Sequence, residues 1–110
     1  ELFLSHRVDD KRTVEAITEI LDQTEYLADP HTAIGIEAAR QFRDSIDSPI
    51  VCLATAHPAK FPEAVMNAGY PTEPPLPLHM QDLFLREERY QVLENDLDAV
   101  KDFIVKHITA

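Results

Sequence analysis

Between Pro49 and Thr55 the chain runs Ile50-Val51-Cys52-Leu53-Ala54, apolar at every position. A strand with one wet face alternates apolar and polar residues. A short run that does not alternate predicts a strand buried on both faces, as in a parallel sheet. Such a strand needs neighbours on both edges and cover on both faces. Only one other segment, Arg89 to Glu94, alternates enough to be a strand. Two strands cannot bury each other in this way. Either copies of the chain associate to complete the sheet, or the stretch belongs to a larger α/β domain. A length of 110 residues suits one small domain or a piece of a larger one.

The remaining pattern is helical. Asp9-Asp10 precedes a helix predicted to run to about Gln23, with Val14, Ile17 and Leu21 on one stripe. Asp29-Pro30 is a second helix start, because the aspartate can cap free N–H groups and proline at the first helical position forfeits no hydrogen bond. Gly35, Ala39, Phe42 and Ile46 follow at helical spacing. The small Gly35 and Ala39 predict close approach to another backbone. Asp47-Ser48-Pro49 ends that helix. Pro62 opens a short helix carrying Val65 and Met66, stopped at Gly69. Four prolines between Tyr70 and Pro77 require an extended loop. Residues 78–87 look like a short helix. Asn95 is the expected cap of a last helix with Leu97, Val100, Ile104 and Ile108 on one face, acidic residues in its first turn and Lys106 and His107 in its last. Helices alternating with two strands make the class α/β.

Charge and composition narrow the function. Twenty acidic and ten basic residues give a formal net charge of −10. That argues against nucleic acid and against an anionic membrane surface as partners. No apolar run approaches the ~20 residues of a membrane span. A single cysteine, Cys52, excludes an intramolecular disulfide, and within an apolar strand it is expected to be a buried small hydrophobe. The two glycines, Gly35 and Gly69, lie in no phosphate-cradling loop, so a self-contained nucleotide or phosphate-cofactor site is excluded. The chain starts at Glu1 without a methionine and is apolar at Leu2-Phe3-Leu4, a start that suggests the interior of a domain.

The strongest site signal is positional. In open α/β sheets, ligands bind beyond the carboxyl ends of the strands. The strand 50–54 would deliver Thr55, His57 and Lys60 there: a hydroxyl, an imidazole and an amine able to hold an anionic or heterocyclic ligand. The plainer reading makes Thr55 a strand terminus, His57 a turn residue and Lys60 a solvated cation. His31 and His57 could be two metal ligands, but no carboxylate or cysteine completes a set of three or four, so no metal is expected. His31, in a first helical turn, can face solvent or hydrogen-bond locally. No Ser-His-Asp arrangement is present.

Two stretches carry a family resemblance. Asp29-Pro30-His31-Thr32-Ala33-Ile34-Gly35 and Leu53-Ala54-Thr55-Ala56-His57-Pro58-Ala59-Lys60-Phe61-Pro62-Glu63 resemble the C-terminal region of threonine synthase, a pyridoxal-phosphate enzyme. The likeness extends to Arg86-Glu87-Glu88-Arg89-Tyr90 and the closing Asn95-Asp96-Leu97 helix. It implies that residues 1–110 are a C-terminal segment of a tryptophan-synthase-like (fold type II) catalytic domain, with helices packed on a few mainly parallel strands. The implied reaction is a phosphate-eliminating lyase reaction, O-phosphohomoserine and water giving threonine and phosphate in the cytoplasm. The lysine that carries the cofactor and the Gly-rich loop that holds its phosphate belong to the N-terminal part in such enzymes, and Lys60 does not match that lysine's motif. Thr55 matches the residue at the cofactor's pyridine nitrogen. His57 and Lys60 would lie near the substrate. The remainder of the same enzyme chain is the implied partner, and the 110 residues alone are expected to be inactive and prone to self-association. The alternative is a stand-alone acidic α/β interaction domain without catalytic activity.

Overall fold

The computed structural model describes residues 3–108. Glu1 and Leu2, part of the apolar start noted in the sequence, lie outside the described residues, as do Thr109 and Ala110. The chain divides into two compact units, Glu1–Leu78 and His79–Ala110.

The first unit is built on two helices. In α1 (Asp10–Thr24) the Asp9 carboxylate accepts from the Arg12 backbone N–H at 2.8 Å and starts the helix. Glu25, in the left-handed region at φ 60°, ends it through its N–H to the Leu21 carbonyl. In α2 (Pro30–Phe42) Asp29 is the cap and Pro30 the first helical residue, as the Asp-Pro pair predicts. A single 3-10 turn, Arg43–Ser45, continues it before the break at Asp47-Ser48-Pro49.

Alanines dominate the core between α1 and α2. Ala16, Ile17 and Ile20 of α1 meet Ala33 of α2, Ala28 of the connection and Ala68, with Val14, Leu27 and Ile36 partly buried around them. Small side chains let helix axes approach closely, which sharpens dispersion contacts but buries little area per residue. The third helix, α3 (Pro62–Asn67), inserts the fully buried Val65. The Thr18 hydroxyl donates to the Ala68 carbonyl at 2.8 Å and ties α1 to the end of α3. Gly69, at φ +93°, supplies the left-handed turn that the sequence assigned to it.

Four charged side chains bridge α1 and α2. Arg12 contacts Glu19 at 2.6 Å and Glu37 at 2.8 Å, and Arg40 contacts Glu19 at 2.8 Å and Glu37 at 3.3 Å. Hydrogen bonds from Arg12, then from Arg40, hold the carboxyls of Glu19 and Glu37 below the ordinary range, against the opposing pull of partial burial. Glu19 and Glu37 in turn hold the Arg12 guanidinium still more firmly charged.

The two expected strands do not form. Ile50–Ala54 is extended and exposed, with Val51 82 % and Leu53 74 % accessible, and Arg89–Glu94 is irregular and largely exposed. No strand occurs among the described residues, so the α/β expectation is corrected to a helical structure in this chain. The reason is physical: strand geometry is held by a ladder of N–H and C=O partners on a neighbouring strand, and these residues bring none to each other. Cys52 is exposed for the same reason, against the expectation of burial. Gly35 is also corrected. A Cβ built there would meet nothing within 4 Å, so no backbone crowds it among the described residues.

In the second unit the short helix expected over 78–87 resolves into separate 3-10 turns, one at Leu83–Leu85 and one at Leu78–Met80 on the boundary. Arg86 pairs with Asp82 at 2.6 Å and holds that carboxyl below its ordinary range. The last helix, α4 (Leu97–Ile108), is capped by Asp96 rather than Asn95, the Asp96 carboxylate accepting from the Ala99 N–H at 2.9 Å. No residue of α4 is buried.

Candidate functional site

The two faces of α2 have different partners. Thr32, Ala33, Ile36 and Glu37 turn toward α1, whereas Gly35, Ala38, Ala39 and Phe42 form the floor of a groove whose far wall is the extended segment Ile50–Thr55. Proline at 49 and the absence of a helical pattern keep that segment extended. The groove has a volume of about 580 Å³ and is open to solvent. Its polar lining is His6, His31, Cys52 and Thr55; no carboxylate among the described residues lines it, although the chain carries 20 acidic residues. The Cys52 thiol lies 3.8 Å from the Gly35 carbonyl across it.

Thr55 is exposed at the end of the wall, and no group among the described residues hydrogen-bonds its hydroxyl. A hydroxyl can donate to an unprotonated ring nitrogen or accept from a protonated one. Gly35, Ala39, Phe42 and Leu53 line the same groove and give it an apolar surface. That donor set and surface fit a planar heteroaromatic ring.

His57 and Lys60 are not among the residues lining the groove. The His57 Nδ1 accepts from the Ala59 N–H at 3.2 Å and caps the 3-10 turn Pro58–Lys60. The Lys60 ammonium lies 5.6 Å from the Phe61 ring centre. The other face of interest is that of His31, whose ring lies 4.8 Å from Phe61 at a tilt of 46°. Asp29, only 1 % exposed, accepts from the His31 backbone N–H at 2.9 Å and from the Thr32 hydroxyl, and lies 3.3 Å from His31 Nδ1. Sequence reasoning saw Asp29 as a cap and His31 as a locally bonded side chain. The signal for their pairing was the Asp-x-His-Thr order at a helix start, which lets one carboxylate reach both side chains.

A second hollow of about 610 Å³ lies beyond Ala39, lined by Arg40, Arg43, Asp44 and Asp47, and holds none of the candidate residues. No group of three or more potential metal ligands occurs among the described residues, and no helix among them is long and apolar enough to cross a membrane.

Comparison with known proteins places this architecture. Residues 32–104 match the family model described as threonine synthase, C-terminal. The chain is 51 % identical over 107 residues to threonine synthase of Pseudomonas aeruginosa, covering 97 % of this chain and 23 % of the relative. It is 36 % identical over 106 residues to threonine synthase of Corynebacterium glutamicum, covering 96 % of this chain and 22 % of the relative. Among solved structures it resembles the pyridoxal-phosphate-bound threonine synthase from Brucella melitensis, with a TM-score of 0.74 and 43 % identity over 96 % of this chain and 22 % of that one. The chain thus spans under a quarter of the length of the relatives it matches.

Proposed function

The chain belongs to the threonine synthase family, and from that premise we propose that residues 1–110 are the C-terminal part of a catalytic domain that converts O-phosphohomoserine and water to threonine and phosphate. The proposed enzyme is a cytoplasmic phosphate-eliminating lyase that uses pyridoxal phosphate. The observation that carries this reading is the placement of Thr55: its hydroxyl, without a partner among the described residues, ends an apolar groove with no carboxylate in its described lining, in a chain matched almost end to end by threonine synthases. When bound, pyridoxal phosphate supplies the electron sink for the bonds rearranged in the substrate. Thr55 would hold its ring nitrogen by a neutral hydrogen bond. A carboxylate at that place would enforce ring protonation, and a hydroxyl does not, which moderates the sink.

The amine and the phosphate cradle would come from the remainder of the same chain. Lys60, exposed and lying beside the Phe61 ring, is not assigned the cofactor amine. His57 and Lys60 are proposed as turn residues at the edge of the substrate region. The extended Ile50–Ala54 would become a strand of the whole protein's sheet, which agrees with its apolar character on both faces. The 110 residues alone would then be inactive.

The test is Thr55→Val in the full-length enzyme. Valine keeps the shape and removes the hydrogen bond. Losing a buried hydrogen-bond partner costs about 1–3 kcal/mol, so cofactor affinity should fall about tenfold to a hundredfold, with a shifted absorbance of the bound cofactor. Wild-type affinity and an unchanged spectrum would show that Thr55 is only a chain segment's end.

A further inference from the structure

The groove has a second built element besides Thr55. Asp29 is buried and holds His31 in place through the backbone N–H at 2.9 Å and the ring Nδ1 at 3.3 Å, while the Phe61 ring supports the imidazole from one side at 4.8 Å. Thr32 satisfies the other carboxylate oxygen. With Nδ1 committed to Asp29, Nε2 is the polar atom His31 has left to offer. His31 and His6 bring ring nitrogens to the groove, and in a chain of net charge −10 no carboxylate among the described residues shares that lining. To meet Asp29 on one edge and an anionic acceptor on the other, the imidazole donates through both nitrogens.

We infer that His31, oriented by Asp29, is a contact for an oxyanion of the substrate in the groove that Thr55 ends. The inference rests on the proposed function for its choice of ligand. The oxyanion is a phosphate or a carboxylate, since a phosphorylated amino acid carries both. His31 is the contact, and Asp29 is a positioning residue that acts through it.

The experiment uses the full-length enzyme and two probes, inorganic phosphate and homoserine, the second carrying a carboxylate but no phosphate. Calorimetric affinity for each is measured in wild type, His31→Leu, His31→Gln and Asp29→Asn, alongside each variant's thermal unfolding. Replacing a hydrogen bond to a charged group should weaken one probe about tenfold in His31→Leu. His31→Gln, which keeps a donor at the distance of Nε2, should recover part of that loss, and Asp29→Asn should show a smaller one. In steady-state kinetics the loss should appear mainly in KM. Weakened phosphate with unchanged homoserine identifies the phosphate as the oxyanion; the reverse identifies the carboxylate. Unchanged affinity for both probes in His31→Leu overturns the inference and leaves His31 as packing for Phe61. Failure of the proposed function reads out separately, in the cofactor spectrum of Thr55→Val. An oxyanion effect at His31 beside an unaffected cofactor would retain this site and reject Thr55.

Discussion

Asp29 accepts from two donors of α2's first turn and also lies against the ring nitrogen of His31, while remaining almost fully buried. Its role as a cap was legible in the Asp-Pro pair, because capping depends only on neighbours in sequence. Its role as a support for His31 was only half legible, because the ring's position also depends on Phe61, which arrives from a distant turn. The same distinction separates His57, whose bond to Ala59 is local and was anticipated as turn packing, from Glu37. Glu37 is 6 % exposed and was not singled out in the sequence, since nothing local shows that Arg12 of another helix will reach it. The local cap gives a quantitative expectation. Asp29→Ala removes the cap and strands the buried Thr32 hydroxyl, a loss of about 1–2 kcal/mol for the cap alone. The thermal midpoint should fall by about 5–10 °C, and by less than half of that in Asp29→Asn, which still accepts at the cap. Equal midpoints for Asp29→Ala and wild type would mean that α2 is held by packing alone.

At the scale of elements, helix existence was legible and helix facing was not. The starts of α1, α2 and α3 coincide with Asp or Pro signals in the sequence and the end of α3 with Gly69, whereas Glu25 ends α1 and α2 runs into a 3-10 turn with no such signal. The buried stripe of α1, however, is Thr13, Ala16, Ile17 and Ile20 rather than Val14, Ile17 and Leu21. Alanine carries a weak hydropathy signal, yet Ala16 and Ala33 occupy the contact because they let the helices close up. That approach is flanked by Arg12, Glu19, Glu37 and Arg40, and the network's response to acid can be worked out. Glu19 and Glu37 have folded-state values held below those of the unfolded chain. Their contribution is therefore fully present above the ordinary carboxylate value, near 4.3, and is lost as pH falls through the depressed folded values. Unfolding midpoints followed from pH 6 to pH 2 should hold steady and then drop below about pH 4.5. Glu37→Gln should start lower at neutral pH and descend less steeply. Identical slopes for the two proteins would show that the network has no part in stability.

For the whole molecule, several large apolar residues are left in water, among them the Ile50–Ala54 run that the pattern marked for burial. Val51 and Leu53 in the first unit, and Phe84 and Leu85 in the second, are all more than two-thirds accessible. The pattern read Ile50–Ala54 as a strand with no wet face, and the structure leaves it exposed; a strand is a property of a pair, and no pairing partner for it occurs among the described residues. The core that remains is mostly alanine. Burial stabilises by roughly 25 cal/mol per Å², so leaving even a few hundred Å² uncovered forgoes several kcal/mol, a large part of the stability of a small domain. The 110-residue chain by itself should therefore associate through its extended apolar segment or unfold at low temperature. Salt distinguishes apolar association from ion pairing. Copies carrying a net charge of −10 repel one another, and screening removes that repulsion without weakening the hydrophobic contact. Sedimentation at rising sodium chloride should show growing association, and Leu53→Lys together with Val51→Lys should reduce it several-fold at every salt concentration. A compact monomer with a sharp, high thermal transition would instead favour the stand-alone interaction domain. In that case the open groove beside Thr55 would be a finished surface and not one wall of a larger site.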